Sequence, residues 1–254
     1  MIQPVKFITG PFAGAIFLLR GLSMLRRKEL RLFLFGPLFI NLALYSLAAW
    51  LGVHYFAMAL DWLIPSSLHW LNWLLWPIFA LLLTGFAFFT FTLVANLIAS
   101  PLYGPLSEKV LQLVGVEINP GGAGERIGST IVADLASGLR RLRYFAFRAL
   151  PLLLATTIPG VNLIAGFLWI LFGAWSLSLE YMAYPLEAQG MRFPEQRELA
   201  KSSRMVALGF GAAIMFGLGI PVLNIFIPPA AVIGATLYIA QRSQTDTKNP
   251  MLLN

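Results

Sequence analysis

Two related stretches decide the fold of this chain: residues 158–164, IPGVNLI, and residues 220–226, IPVLNIF. Each stretch lies inside a long apolar run and has a proline followed three residues later by an asparagine. These pairs are Pro159 with Asn162 and Pro221 with Asn224. Proline lacks an amide hydrogen and ends a helix, while asparagine can cap the next one. The pattern therefore predicts two helical hairpins with these residues at their tips.

The composition indicates a membrane protein. Apolar residues make up 58% of the 254 residues and charged residues 11%, whereas a soluble domain has roughly 25% charged residues. Several apolar runs exceed the roughly 18 residues that indicate a membrane helix. The runs are solid, whereas the strands of a membrane β-barrel alternate apolar and polar residues. We therefore predict an all-α integral membrane protein.

The charge and the residue types exclude several classes of function. The formal charge is +7, but the basic residues flank the apolar runs, as membrane orientation requires, so we predict a lipid bilayer and no nucleic acid as partner. The chain has no cysteine, and its two histidines are His54 and His69, so we predict no disulfide, metal site or cofactor. The N-terminus lacks the cleavage pattern of a signal peptide.

The first half of the chain is predicted to hold a surface helix and two long crossings. Residues 11–27 mix apolar residues with arginines, which indicates a helix on the membrane surface, with a plain N-terminal anchor as the alternative. The crossings are predicted at about 31–60 and 74–113, the second ending in an amphipathic tail after Pro101. Residues 52–72 contain no Lys or Arg, and Trp62, Trp70 and Trp73, in or beside this segment, are predicted interfacial aromatics, so the segment faces away from the cytoplasm.

The second half is predicted to hold two re-entrant hairpins, at about 144–190 and 205–241. About ten apolar residues lie between Arg148 and Pro159, enough for about 15 Å of helix, while the hydrocarbon core is about 30 Å thick. The leading arm of the first hairpin is therefore too short to cross. Four ordinary crossings with short external turns are the alternative.

The remaining segments are predicted to lie at the surface. Residues 115–128 are polar and glycine-rich, which indicates a loop. Residues 129–143 form an amphipathic surface helix whose arginines mark the cytoplasmic side. We predict a single membrane domain over residues 1–242, followed by a polar tail over residues 243–254.

The start of the first crossing is a candidate anion site. Arg27, Lys28 and Arg31 surround the predicted helix start at Leu30. Free amides at a helix N-terminus point outward, and the macrodipole adds roughly half a positive charge. Sulfate suits such donors because it offers only acceptors. Alternatively, or in addition, the cluster anchors the helix to anionic lipid.

Charged groups near the hairpins need partners, because an unpaired charge at mid-membrane costs at least about 2.5 kcal/mol. The candidates are Arg148, Glu180 and Glu187, with Glu108 after the second crossing. A pair of Arg148 with Glu180 would join the arms of the first hairpin, as a structural salt bridge or as part of a pore lining. Asn162 and Asn224 either hydrogen-bond a passing anion or cap the returning helices.

Short motifs follow one another along residues 20–239. They are Leu30-Arg31 with Phe33, Pro37-Leu38 with Asn41, Leu75-Trp76-Pro77, Ala95-Asn96 with Ala99 and Pro101, Pro159-Gly160, Tyr181 with Tyr184-Pro185, and Ile220-Pro221-Val222-Leu223-Asn224 through Pro228 to Gly234-Ala235-Thr236. In order and spacing they resemble the CysZ family of bacterial sulfate transporters. The resemblance implies a multi-pass protein of the bacterial inner membrane that admits sulfate for cysteine biosynthesis. It also implies two long crossings, two partly penetrating hairpins, and assembly as a homo-oligomer, a dimer or larger.

The resemblance further implies a sulfate site at a Gly-Leu-Arg-Arg motif at the start of the first long helix. Leu30 and Arg31 match this motif. Glu29 stands at the position of the glycine, and Leu32 at that of the second arginine. A carboxylate beside an anion repels it, and Arg27 and Lys28 are the candidates to compensate for that repulsion.

Two other classes of function stay open from the residues alone. A non-transporting membrane scaffold that binds a partner would also use hairpins and basic surfaces. An intramembrane enzyme is disfavoured, because Ser100 and Ser107 have no evident base nearby and no catalytic residue is predicted. The chain also lacks an ATP-binding phosphate loop and a row of carboxylates for a proton relay. A selective conduit for sulfate agrees best with these residues.

Overall fold

The computed structural model describes residues 10–116, 130–220 and 223–248, and these residues are helical with no strand. The α-helices of this part are α1 (Pro11–Met24), α2 (Lys28–Leu63), α3 (Asn72–Ala99), α4 (Tyr103–Leu113), α5 (Thr130–Thr156), α6 (Val161–Ala188), α7 (Phe193–Ser202), α8 (Arg204–Leu218) and α9 (Ile227–Lys248). Three stretches are long and apolar enough to cross a membrane, Lys28–Leu63, Leu68–Phe88 and Val161–Ala188, with a fourth if the bent pair α7 and α8 is one span. The prediction of an all-α membrane protein is confirmed.

The chain divides into two compact units where the sequence predicted one domain. Unit 1 comprises Met1–Arg31 and Tyr103–Asn254, and unit 2 comprises Leu32–Leu102. In unit 2, polar contacts join the two long helices within their apolar length. The Asn41 Nδ2 donates to the Phe91 carbonyl at 3.1 Å. The bond gives this donor an acceptor, which the hydrocarbon of a bilayer does not offer.

The connection between α2 and α3 carries the predicted interfacial aromatics. Trp62, Trp70 and Trp73 are 85%, 60% and 70% exposed, around a 3-10 turn at Ser66–Leu71. Tryptophan prefers the membrane–water interface because one end of its ring is apolar and the other polar. Their exposure in unit 2 agrees with that placement.

The second long helix is shorter than its predicted range of 74–113. Helix α3 ends at Ala99, and a 3-10 turn at Ser100–Leu102 precedes α4, which is a separate helix. Pro101 explains the break, because it provides no amide to continue the helical hydrogen bonds. The amphipathic tail that we predicted beyond Pro101 is therefore α4, which belongs to unit 1.

Helix α1 lies between α8 and α9 in the core of unit 1. Glycines let the main chains approach so closely that an added Cβ would touch the facing backbone. The contacts are Gly14 against Phe210 and Gly209 against Pro11 on the α8 side, and Gly21 against Ala230 and Gly234 against Phe17 on the α9 side. The arms of the second hairpin are thus separated by α1, a packing role that the prediction for residues 11–27 did not include.

The two hairpins differ in the length of their arms. Helix α5 runs unbroken over 27 residues, so the predicted amphipathic helix and the apolar arm are one helix. Helix α6 has 28 residues and is about 42 Å long at 1.5 Å per residue, which exceeds a hydrocarbon core of about 30 Å. Helix α8 has 15 residues and reaches only about 22 Å. Partial penetration of the hairpins therefore stays a prediction. Helix α9 continues to Lys248 and so includes part of the predicted polar tail.

Neither hairpin asparagine caps the returning helix, so the capping alternative is wrong. Gly160 is the N-cap of α6, with a φ of 85° and no side-chain cap, and Asn162 lies inside the first turn. Glycine adopts this left-handed conformation freely, so the helix starts directly after it. Asn224 lies in the 3-10 turn Leu223–Ile225, and its main-chain amide donates to the Ile220 carbonyl at 2.9 Å.

Candidate anion-binding site

Helix α1 ends and α2 begins within one tight turn. The Leu25 amide donates to the Gly21 carbonyl at 3.2 Å, and the Arg27 amide donates to the Met24 carbonyl at 2.9 Å. Leu25 is 5% exposed, and Leu30 has no exposed surface. These two buried leucines, one on either side of the turn in sequence, anchor it to the core of unit 1.

The basic side chains of this turn all face outward. Arg26, Arg27, Lys28 and Arg31 are exposed. The Arg31 Nε donates to the Arg26 carbonyl at 3.2 Å, which holds the guanidinium over the turn. We name residues 26–31 the basic turn. Four cations within six residues create a positive potential that attracts a dianion.

Two main-chain amides of the basic turn are available to an anion. The Lys28 and Glu29 amides donate no backbone hydrogen bond within the described part of the chain, whereas the Leu30 amide donates to the Arg27 carbonyl at 3.1 Å. Unpaired amides at a helix start carry partial positive charge. The Glu29 carboxylate is exposed and forms no ion pair with any basic residue that the structure describes. Its charge therefore opposes an anion bound here.

The predicted hairpin-tip residues differ in their surroundings. Pro159 is exposed between α5 and α6, and Asn162 is exposed in the first turn of α6. Asn224 has a buried Oδ1 without a hydrogen-bond partner among the described residues, and Pro221 lies outside those residues. A role for these four residues in an anion pathway stays a prediction.

The expected ion pair of Arg148 with Glu180 is not formed. The Arg141 Nη2 instead donates to the Glu187 Oε1 at 2.8 Å, two helical turns nearer the base of the first hairpin. The Arg148 guanidinium lies over the Tyr144 ring, 4.0 Å from its centroid. Cation–π attraction thus pairs Arg148 with a residue of its own helix rather than with Glu180.

Glu108 and Glu180 have no ionic partner in the described ranges. Glu108 is partly exposed on α4, and Glu180 is exposed on α6. Neither residue adds to the basic turn.

The Arg141–Glu187 pair is expected to contribute little by itself. Its side chains are 28% and 48% exposed, so Glu187→Gln should change the free energy of unfolding by less than about 1 kcal/mol. Arg141→Ala should lower the free energy of unfolding by about 1 kcal/mol more than Glu187→Gln does. It also removes a hydrogen bond to the side chain of Gln196, a residue that is only 2% exposed. Melting curves of both variants in detergent measure the difference, and equal curves would contradict this assignment.

Comparison with known proteins relates these features to one family. The family described as "Sulfate transporter CysZ/Etoposide-induced protein 2.4" matches residues 17–229. The chain belongs to this CysZ family. The match begins within α1 and ends within α9, so it contains the basic turn and most of both hairpins. The resemblance carried by the sequence motifs is confirmed.

CysZ proteins of several bacteria align with most of this chain. A protein of Pseudomonas syringae pv. tomato, named "Sulfate transporter CysZ", is 38% identical over 248 residues, which cover 96% of both chains. One of Pseudomonas aeruginosa (strain LESB58) with the same name is 40% identical over 230 residues, 89% of this chain and 94% of the relative. One of Vibrio cholerae serotype O1, again with this name, is 36% identical over 229 residues, 85% and 88% of the two chains.

Proposed function

We propose that this protein admits sulfate across the bacterial inner membrane as a selective conduit and so supplies cysteine biosynthesis. The observation that carries the proposal is the CysZ family match over residues 17–229 of an all-α membrane protein. Its relatives are named sulfate transporters. A conduit has no chemical step, so we infer that the protein is not an enzyme, and we propose that it works as a homo-oligomer.

The basic turn is the proposed entry site for the anion. Sulfate would accept hydrogen bonds from the Lys28 and Glu29 amides and from the side chains of Arg27, Lys28 and Arg31. Charge-assisted bonds of this kind are about twice as strong as neutral ones. The nearby Glu29 carboxylate weakens the site, and a site that releases its ion readily suits conduction.

Uptake of radiolabelled sulfate into liposomes that contain the purified protein tests this function. We expect saturable uptake that needs no proton gradient, because the chain has no evident means of energy coupling. Competition by sulfite and by phosphate measures the selectivity. Empty liposomes give the background. Absence of uptake by protein shown to be folded and inserted would contradict the proposal and favour a membrane scaffold.

A further inference from the structure

A second basic site lies in unit 1, far along the chain from the basic turn. Helices α5, α6, α7 and α8 meet around an open cleft of about 410 Å³. Arg148, Lys201 and Arg204 lie on its wall, and no carboxylate does. We name it the basic cleft. Its volume is within the range of small-molecule sites, roughly 300–1,000 Å³.

The positive charge of the basic cleft is only partly balanced by the protein. Lys201 donates to the Glu198 carboxylate at 2.8 Å, so its charge is shared. Arg148 lies over the Tyr144 ring, and neither Arg148 nor Arg204 has an ion pair or hydrogen bond within the described part of the chain. Two arginines without an anionic partner lie on one wall, which favours an anion between them.

Two aromatic residues give the basic cleft a fixed polar edge. The Trp175 Nε1 donates to the Tyr144 hydroxyl oxygen at 3.0 Å. Both rings pack against the buried cluster of Leu179, Ala200 and Ala207. The Tyr144 hydroxyl hydrogen is therefore free to donate to a ligand from a held position.

The rest of the cleft wall is apolar and continues into an exposed apolar surface. Leu171, Phe172 and Leu208 complete the lining. On α5, beyond Arg148, the exposed side chains are Leu150, Leu153 and Leu154, at 58%, 56% and 60% exposure. On α6 the exposed side chains that precede the cleft in sequence include Leu163, Ile164, Phe167 and Ile170. The basic cleft thus lies at the end of an apolar band, which is where membrane headgroups meet a protein.

We propose that the basic cleft binds one anionic phospholipid. The phosphate lies between Arg148 and Arg204, the glycerol lies by Tyr144, and an acyl chain follows the apolar wall. A free inorganic anion would satisfy the arginines but would leave that wall uncovered. An amphiphile matches both halves of the cleft.

Native mass spectrometry of the purified full-length protein tests the proposal, with phosphatidylglycerol and with phosphatidylcholine of the same acyl chains as probes. We expect a retained adduct with phosphatidylglycerol and not with phosphatidylcholine. Arg148→Gln with Arg204→Gln should lower phosphatidylglycerol retention on the order of tenfold, because each lost arginine near an anionic headgroup weakens attraction. The matched control is Lys109→Gln with Arg143→Gln, two exposed residues outside the cleft, and it should retain the lipid.

Each other outcome overturns the proposal. Equal retention by the cleft variant and its control would mean that the lipid binds elsewhere. Equal retention of both lipids would mean that the anionic headgroup is not recognised. Displacement of phosphatidylglycerol by millimolar sulfate would assign the cleft to the inorganic anion. The single variant Arg204→Gln, which changes a side chain without a described partner, keeps the test valid if the double variant fails to fold.

Discussion

Arg31→Ala is expected to lower sulfate uptake at low sulfate concentration by about tenfold or more. Its guanidinium lies over the basic turn through the hydrogen bond to the Arg26 carbonyl. At the proposed site it would give sulfate a charge-assisted contact worth about 1.5–3 kcal/mol. The loss should raise the KM for uptake and leave the maximal rate largely unchanged, because binding weakens while the conduit stays intact. Concentration-dependent uptake into liposomes separates the two parameters.

The same assay separates the role of Arg31 from a general effect of charge. Arg31→Lys should recover part of the affinity, since it keeps the charge and loses the planar donor geometry. Arg143→Ala is the matched control, because Arg143 is exposed on α5 and lies outside both basic sites. Glu29→Gln should lower the KM, since it removes the opposing carboxylate. If Arg31→Ala and Arg143→Ala behave alike, the basic turn is not the sulfate site.

The residues of the basic turn could be grouped from the sequence because they are neighbours in the chain, and their binding of sulfate stays a prediction. Arg27, Lys28 and Arg31 and the helix start lie within a few residues, so composition and capping rules suffice to group them. The basic cleft is different, since it brings Tyr144 and Trp175 together with Lys201 and Arg204 from separate helices. In the sequence, Arg148 was a candidate for an ion pair with Glu180, and nothing grouped it with Arg204. The cleft's aromatic edge needed the tertiary packing of α5 on α6.

The expected ion pair of Arg148 with Glu180, which is not formed, also depended on contacts that the sequence does not show. Arg148 lies seven residues after Arg141 on α5, and Glu180 lies seven residues before Glu187 on α6. In an antiparallel hairpin, Arg148 is therefore level with Glu180 when Arg141 is level with Glu187. The two residues of the expected pair therefore lie at the same level of the hairpin, although they form no ion pair. What the sequence could not give was the competition between a carboxylate on α6 and the ring of Tyr144 on α5 itself.

Close helix packing was also beyond the reach of pattern analysis. Apolar runs identify the helices, but they do not show that α1 lies between α8 and α9. Glycine spacing such as Gly14 with Gly21 is compatible with any helix, and becomes informative only when the facing backbone is known. The placement of α1 follows from those close approaches.

Gly21→Ala is therefore expected to destabilise the protein and to disturb the basic turn at the same time. An added Cβ would meet the Ala230 carbonyl and the Gly234 amide, which belong to the backbone of α9 and cannot move aside as a side chain can. Overpacking of this kind typically costs about 1–3 kcal/mol or more. The Gly21 carbonyl also accepts from the Leu25 amide, so a shift of α1 displaces the start of α2.

Thermal melting in detergent, combined with sulfate uptake, measures both effects. We expect Gly21→Ala to lower the melting temperature by about 5 °C or more, and to raise the KM for sulfate in the fraction that stays folded. Gly166→Ala is the control, since Gly166 lies within α6 with nothing within 4 Å of an added Cβ. In that open helical position alanine is preferred over glycine by about 1 kcal/mol, so its melting temperature should stay the same or rise. Equal melting temperatures of the two variants would show that α1 does not pack on α9 through Gly21. A lowered melting temperature with an unchanged KM would show that this helix packing does not affect the anion site.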